Sequence, residues 1–187
     1  MNYLDVYKKC FGVETYSNCH HIQYDWVIDN IKKKFNREDI INIIDIGSGR
    51  GQTISLIKQN FPNSKITSVD LEKFHPYDVE QFIPCDLSSS SDRSKINGIY
   101  DVLICTDILE HLDKSFIKDV VEMCSKLSKY CLFAIANHSD MLNNIELHTI
   151  QEKNDWWENI INLFFIIQNY SCHFNNTLYL YEVLTIE

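Results

Sequence analysis

No stretch of these 187 residues is long and apolar enough to span a bilayer, and the first residues lack the pattern of a secretory leader. The expected address is the cytoplasm, with no membrane partner. No two of the seven cysteines stand in a C-x-x-C spacing, which removes a zinc ribbon, and the odd count argues against a disulfide framework. Cys105 and Cys131 lie inside apolar runs, where a free thiol acts as a small hydrophobe. Positive charge is not in excess: 17 Lys and Arg face 26 Asp and Glu, a net charge of −9. Such a surface repels nucleic-acid backbones, so neither DNA nor RNA is an expected partner. Internal repeats are absent, and the one low-complexity run is Ser88 to Ser91. What remains is ordinary globular composition, 45% hydrophobic and 23% charged, in a chain of the right length for one domain with a sizeable core.

Glycine is scarce as well, and three of the 5 glycines fall together. The stretch Ile41-Asn-Ile-Ile-Asp-Ile-Gly-Ser-Gly-Arg-Gly51 begins as a β-branched run, which reads as a strand buried on both faces. It breaks into Gly47, Gly49 and Gly51, and a helical pattern starts at Gln52. A strand that enters a helix through such a turn sets bare backbone beside a ligand. A dinucleotide site wants G-x-G-x-x-G; here Gln52 stands where its third glycine belongs. Three more strand-like runs end in acids or polar residues: Lys65 to Asp70, Phe82 to Asp86-Leu87, and Asp101 to Thr106-Asp107. The last runs on into Leu109-Glu110-His111-Leu112.

The D-x-G-x-G-x-G of Asp45 to Gly51 resembles motif I of the class I S-adenosylmethionine (SAM) methyltransferases. Leu109 to Leu112 is similar to the LEHL form of motif IV in their small-molecule branch. The likeness covers residues 40 to 137. It implies SAM as cofactor, with S-adenosylhomocysteine as product. It implies that Gly47, Ser48, Gly49, Gly51 and Gln52 lie against the ribose and methionine, and that Asp45 helps orient the amino group. Asp70 and Leu71 would hold the ribose, Asp86 and Leu87 would read the adenine amino group, and Thr106, Asp107 and His111 would line the pocket. The N/D-P-P-Y/F sequence of DNA amino-methyltransferases is missing, so base amines are not the expected acceptors.

Around this core the periodicities predict one α/β domain, with a seven-stranded, mostly parallel, doubly wound sheet and helices on both faces. Residues 1–39 form an N-terminal helical cap, in which Tyr24, Val27, Ile28, Ile31 and Phe35 share a helix face. That cap can bring His20 and His21 to the cofactor rim as substrate contacts. Residues 40–137 carry the SAM core, with Asp113 as an N-cap. Residues 138–187 supply a substrate loop, a helix on Trp156 and Trp157, and an antiparallel hairpin turning at Asn175-Asn176.

The acceptor's proton needs a base when the nucleophile is a hydroxyl. Residues 137–152 read as a polar loop crowded with His138, Asp140, Glu146 and His148; the histidines are the candidate bases, His138 first. Glu146 and Trp157 are candidate substrate contacts. Glu110-His111 also reads as a solvated helix-opening turn. No ligand spacing is diagnostic, so no metal is expected, although such a cluster can hold one. The expected function is a SAM-dependent methyltransferase acting on a small acceptor, with an oxygen of a sugar or phosphate-type group in surface-polysaccharide or secondary metabolism as the first choice, as monomer or homodimer. A SAM-binding module without turnover is the alternative.

Overall fold

Alternate residues of the apolar runs face opposite ways, and this decides the layering. In the computed structural model, which describes residues 5–6, 8–9, 22–142 and 144–186, the first strands are β1 (Asn42–Ile46), β2 (Lys65–Asp70), β3 (Gln81–Pro84), β4 (Val102–Thr106) and β5 (Tyr130–Ala136). They pair in parallel in the order β3-β2-β1-β4-β5. A hairpin of β8 (Phe165–His173) and β9 (Leu178–Thr185) completes seven strands, β9 lying antiparallel against β5. The mostly parallel sheet with an antiparallel end is thus the expected fold. At the hairpin tip Asn175 and Asn176 take positive φ, 56° and 69°, as the turn signal required.

Ile43, Ile66, Val102, Ile104 and Leu132 point to one face, where they meet Val27, Ile28 and Ile31 of α1 (Ile22–Lys34) and Ile54 and Ile57 of α2 (Gln52–Asn60). Ile44, Ile46, Leu103, Cys105, Cys131 and Phe133 point to the other. There they meet Ile117, Val120, Val121, Cys124 and Leu127 of α4 (Lys114–Leu127) and Trp157 and Ile161 of α5 (Asn154–Ile161). Each such buried side chain contributes about 1.5–3 kcal/mol, so the two apolar faces of the sheet are the main source of stability. Between β3 and β4 the chain makes only the short α3 (Ser90–Arg93), as its polar sequence predicts. Asp113 caps α4 by accepting from the Ser115 N–H. Among the described residues no helix is long and apolar enough to cross a membrane.

Two expectations need correction. The segment after β5 is not simply a polar loop: β6 (Met141–Leu142) and β7 (Ile145–Glu146) pair in a tight ladder, and Leu147, His148 and Ile150 are buried. Trp157 is fully buried in the core, edge-on to Trp156 at 4.8 Å between ring centres, so it is a packing residue and no substrate contact. Of two adjacent tryptophans at a helix start only one can face the sheet, and α5 turns Trp157 inward.

Candidate active site

A cavity of about 800 Å³ opens beyond the carboxyl ends of β1 to β5, where an open α/β sheet receives its ligands. One wall is the glycine turn after β1. Gly47 and Gly49 have φ of 77° and 49°, which L side chains rarely adopt, and a Cβ on Gly47 would lie 1.9 Å from Ile108 Cδ1. The turn is tied to β2 by Gly47 N–H and Ser48 N–H, both donating to Val69 O, and by Gly49 N–H donating to Asp70 Oδ2 at 2.8 Å. Asp70 Oδ1 accepts from Leu71 N–H. Burial lifts the Asp70 pKa to about 6 against the pull of those two N–H groups. Beneath the turn, Asp45 is 1% exposed; burial, then the Asp70 charge, push it up to about 7. Asp45 Oδ2 and Ser48 Oγ are buried with no hydrogen-bond partner.

Gly47, Ser48, Gly49, Gln52, Asp70, Leu71, Asp86, Leu87, Thr106, Asp107 and His111 all line the cavity, while Asp45 and Gly51 do not. Asp86 Oδ1 accepts from both the N–H and the hydroxyl of Ser88, which fixes the turn after β3. Asp107 sits at a strained φ of 55° where β4 ends, and its Oδ2 accepts from Gln23 Nε2 at 2.6 Å. Gln23, on the buried face of α1, is a cavity residue that sequence reasoning missed. Its signal was a polar side chain four residues before Val27, on the apolar stripe.

The opposite wall gathers His111, His138 and His148. His111 and His148 meet edge to face at 4.6 Å, and His138 and His148 lie 4.8 Å apart, ring centre to ring centre. All three line the cavity, as does Asp140, whose Oδ2 is 3.9 Å from His148 Nε2. His138 is exposed and His148 buried. His111 Nδ1 donates to Leu147 O at 3.0 Å, and His148 Nδ1 donates to His138 O at 2.7 Å, since a carbonyl can only accept. Burial draws His111 down to about 3 and lowers His148, so both rings are neutral near pH 7.

Glu110 and His111 do not form a solvated turn. They lie in the 3-10 turn Leu109–His111, fully or nearly buried. Glu110 Oε1 accepts from Ala136 N–H, and Ile150 N–H donates to Glu110 O, so the segment after β5 is stitched over this turn. Glu146, expected at the substrate, is instead spent inside its own loop. Its carboxylate accepts from the Ser139 hydroxyl and from the N–H groups of Asp140 and His148, bonds that draw its pKa down to about 2. His20 and His21 lie outside the described residues.

A glycine turn, a bonded acid after β2 and a cavity across the carboxyl edge define a nucleoside-binding α/β protein whose ligand meets bare backbone. Gln52 opens α2 at the cavity wall, at the position where a dinucleotide site needs a glycine to pack its helix closely on the strand. The orphaned Asp45 Oδ2 and Ser48 Oγ suit a ligand that brings donors, as a methionine ammonium does.

The family comparison agrees: residues 19–175 match the model of the methyltransferase domain, and the chain belongs to that family. A ubiquinone biosynthesis O-methyltransferase of Rickettsia canadensis is 28% identical over 110 residues, 54% of this chain and 45% of the relative. The chain spans a little under half the length of the curated relatives it matches. Among solved structures, a SAM-dependent methyltransferase from Clostridium acetobutylicum superposes with a TM-score of 0.72 at 12% identity, each chain covered fully. The N-methyltransferase NodS of Bradyrhizobium japonicum, in complex with S-adenosylhomocysteine, gives 0.69 at 9%, again with full coverage of both. The fold is therefore that of the SAM-dependent methyltransferases.

Proposed function

We propose that this chain transfers the methyl group of SAM to an oxygen of a small acceptor. The observation that carries this reading is the cavity itself: the glycine turn and Asp70 form one wall, and three histidines form the other. SAM supplies an electrophilic methyl on a sulfonium. The turn backbone, Asp45 and Ser48 would hold its methionine end; Asp70 would accept from the ribose hydroxyls; Asp86 and Leu87 would border the adenine; Gln52, Thr106 and Asp107 would close the pocket.

The acceptor enters between Asp107 and the histidines. With the methyl donor bound, His138 would take the proton that the acceptor hydroxyl gives up as it is methylated. Asp140 and His148 orient the acceptor. The likeness to O-methyltransferases favours oxygen, and the net charge of −9 favours a small acceptor over nucleic acid. A sugar hydroxyl or phosphate-type oxygen, from surface-polysaccharide or secondary metabolism in the cytoplasm, is the acceptor class proposed, with the protein working as monomer or homodimer.

The test is S-adenosylhomocysteine release across a panel of hydroxyl, phosphate and amine acceptors, repeated with His138→Asn. A hydroxyl substrate should be turned over, and the variant should lose about 10²–10⁴ in kcat with SAM affinity unchanged. Turnover of amines alone refutes the oxygen reading. SAM binding with no product from any acceptor makes the chain a cofactor-binding module.

A further inference from the structure

In the acceptor wall of the proposed methyl-transfer site, three groups come together in a way that orienting the acceptor does not by itself require. Glu110, His111 and His148 each offer one ligand atom, and these atoms all lie within 4.8 Å of one another. All three residues are buried. We propose that Glu110, His111 and His148 form a binding site for a divalent transition-metal ion of the zinc or manganese type, set in the acceptor wall of the cavity.

Three observations support the site. The first is the orphaned atom: Glu110 Oε1 is engaged by Ala136 N–H, but Oε2 is buried with no hydrogen-bond partner. A buried carboxylate oxygen left bare costs about 1–3 kcal/mol, and a cation is the ligand that would offset it. The second is the tautomer of the rings. His111 and His148 both give Nδ1–H to backbone carbonyls, those of Leu147 and His138, which makes Nε2 the unprotonated nitrogen in each neutral ring. Metal-ligating histidines are held in this way, with the non-ligating nitrogen donating to a fixed acceptor. The third is the ligand set. Two imidazoles and a carboxylate suit zinc, manganese or a similar ion better than magnesium or calcium, which prefer oxygen alone.

Ligand atoms around a tetrahedral zinc stand roughly 3.3 Å apart, given bonds of about 2.0–2.1 Å. The site must therefore close by up to about 1.5 Å on binding, which rotation of the His148 ring on the segment after β5 can provide. Three protein ligands leave at least one coordination position open, and His111 and His148 both border the cavity. An acceptor oxygen placed there would lose its proton more readily, beside His138. This last consequence rests on the oxygen-acceptor reading; the metal site does not.

The experiment uses the full chain, stripped with a chelator and titrated by calorimetry with Zn²⁺ or Mn²⁺ alone, with no SAM and no acceptor. Co²⁺ is added in parallel, and its visible absorption reports the coordination geometry. One ion per chain should bind, and Glu110→Gln and His148→Asn should each weaken binding by on the order of 100-fold or more. Glutamine keeps an oxygen for Ala136 N–H, and circular dichroism with SAM affinity verifies that each variant is folded. Failure of the wild-type chain to bind any of the three ions overturns the proposal, as does undiminished binding in both folded variants. One ion per chain bound through these residues, with no oxygen acceptor methylated, upholds the metal site while the oxygen reading falls.

Discussion

Replacing Asp45 by asparagine should stabilise the cofactor-free protein, and by an amount that grows with pH. The carboxyl is 1% exposed, Oδ2 has no partner, and burial followed by Asp70 repulsion pushes its pKa up to about 7. A group with a higher pKa folded than unfolded binds its proton more tightly in the native state. Its contribution is intact at low pH and is lost as pH climbs from the ordinary value of 3.8 to about 7. About 2 pH units of that window lie above pH 5. At roughly 1.4 kcal/mol per unit, the parent loses about 3 kcal/mol between pH 5 and pH 8 that the variant keeps. In a chain of this size 1 kcal/mol moves Tm by roughly 2–4 °C, so the gap between the two proteins should widen by about 6–12 °C. Thermal melts of both proteins without cofactor, at four pH values from 5 to 8, measure it directly. Saturating SAM should then close the gap at pH 8, because its ammonium would meet the carboxylate in the parent and an amide in the variant. Parallel curves of Tm against pH would show that the carboxyl is not destabilised when charged, and the argument from burial would fail.

Asp70→Ala should weaken SAM binding by about 30–150-fold, the equivalent of about 2–3 kcal/mol for lost charge-assisted contacts. Because burial places the Asp70 pKa at about 6, the parent's SAM affinity should also fall as pH drops below that value; a flat affinity across pH 5 to 7 would exclude Asp70 as the ribose anchor. Gly49→Val should abolish cofactor binding with the far-ultraviolet spectrum nearly intact, since a β-branched residue at a φ of 49° strains the turn; normal binding would refute the role given to that turn. Trp157→Ala should cost about 3–5 kcal/mol in stability while leaving the acceptor KM of the folded fraction alone. A raised KM with an unchanged Tm would return Trp157 to the substrate site.

The sheet was legible because its information is local. Ile43 to Ile46, Ile66 to Val69, Val102 to Cys105 and Cys131 to Ile135 are buried strand segments rich in β-branched and apolar residues, and the residue after each, Gly47, Asp70, Thr106 or Ala136, lines the cavity. The wall built by the glycine turn and Asp70 was legible for the same reason, since Asp45 to Gln52 and Asp70 stand on consecutive strands and their turns. The histidine wall was legible only in part: His111, His138, Asp140 and His148 line the cavity, but what covers and binds the residues around them could not be read locally. Glu110 and His111 look solvated in sequence because nothing within ten residues covers them; Leu147, Ile150 and Thr149, more than 35 positions on, do so. Glu146 looked available for substrate because its bonds to Ser139, Asp140 and His148 depend on a two-residue ladder too short to show any period. Gln23 was hidden by the opposite effect, a helix pattern strong enough to make one polar residue look incidental.

Where the structure leaves polar atoms without partners is itself informative. Among the described residues, the buried orphans are Asp45 Oδ2, Ser48 Oγ, His75 Nδ1, Glu110 Oε2, Asn137 Oδ1 and Trp157 Nε1. Four of these six, on Asp45, Ser48, Glu110 and Asn137, lie at or just beyond the carboxyl ends of β1, β4 and β5, the edge on which the cavity opens. Native interiors satisfy nearly all such atoms, and each one left bare costs about 1–3 kcal/mol. Several exceptions at one sheet edge are hard to explain as packing error when the two apolar faces of the same sheet are filled. They are explained if the partners arrive with ligands: a cation at Glu110, and donors from the cofactor at Asp45 and Ser48. On this argument the free protein is held together by its two apolar faces and strained at one edge, at the orphans and at the positive φ of Asp107. Binding there should raise stability beyond what the buried ligand area alone would give, because it also removes those deficits.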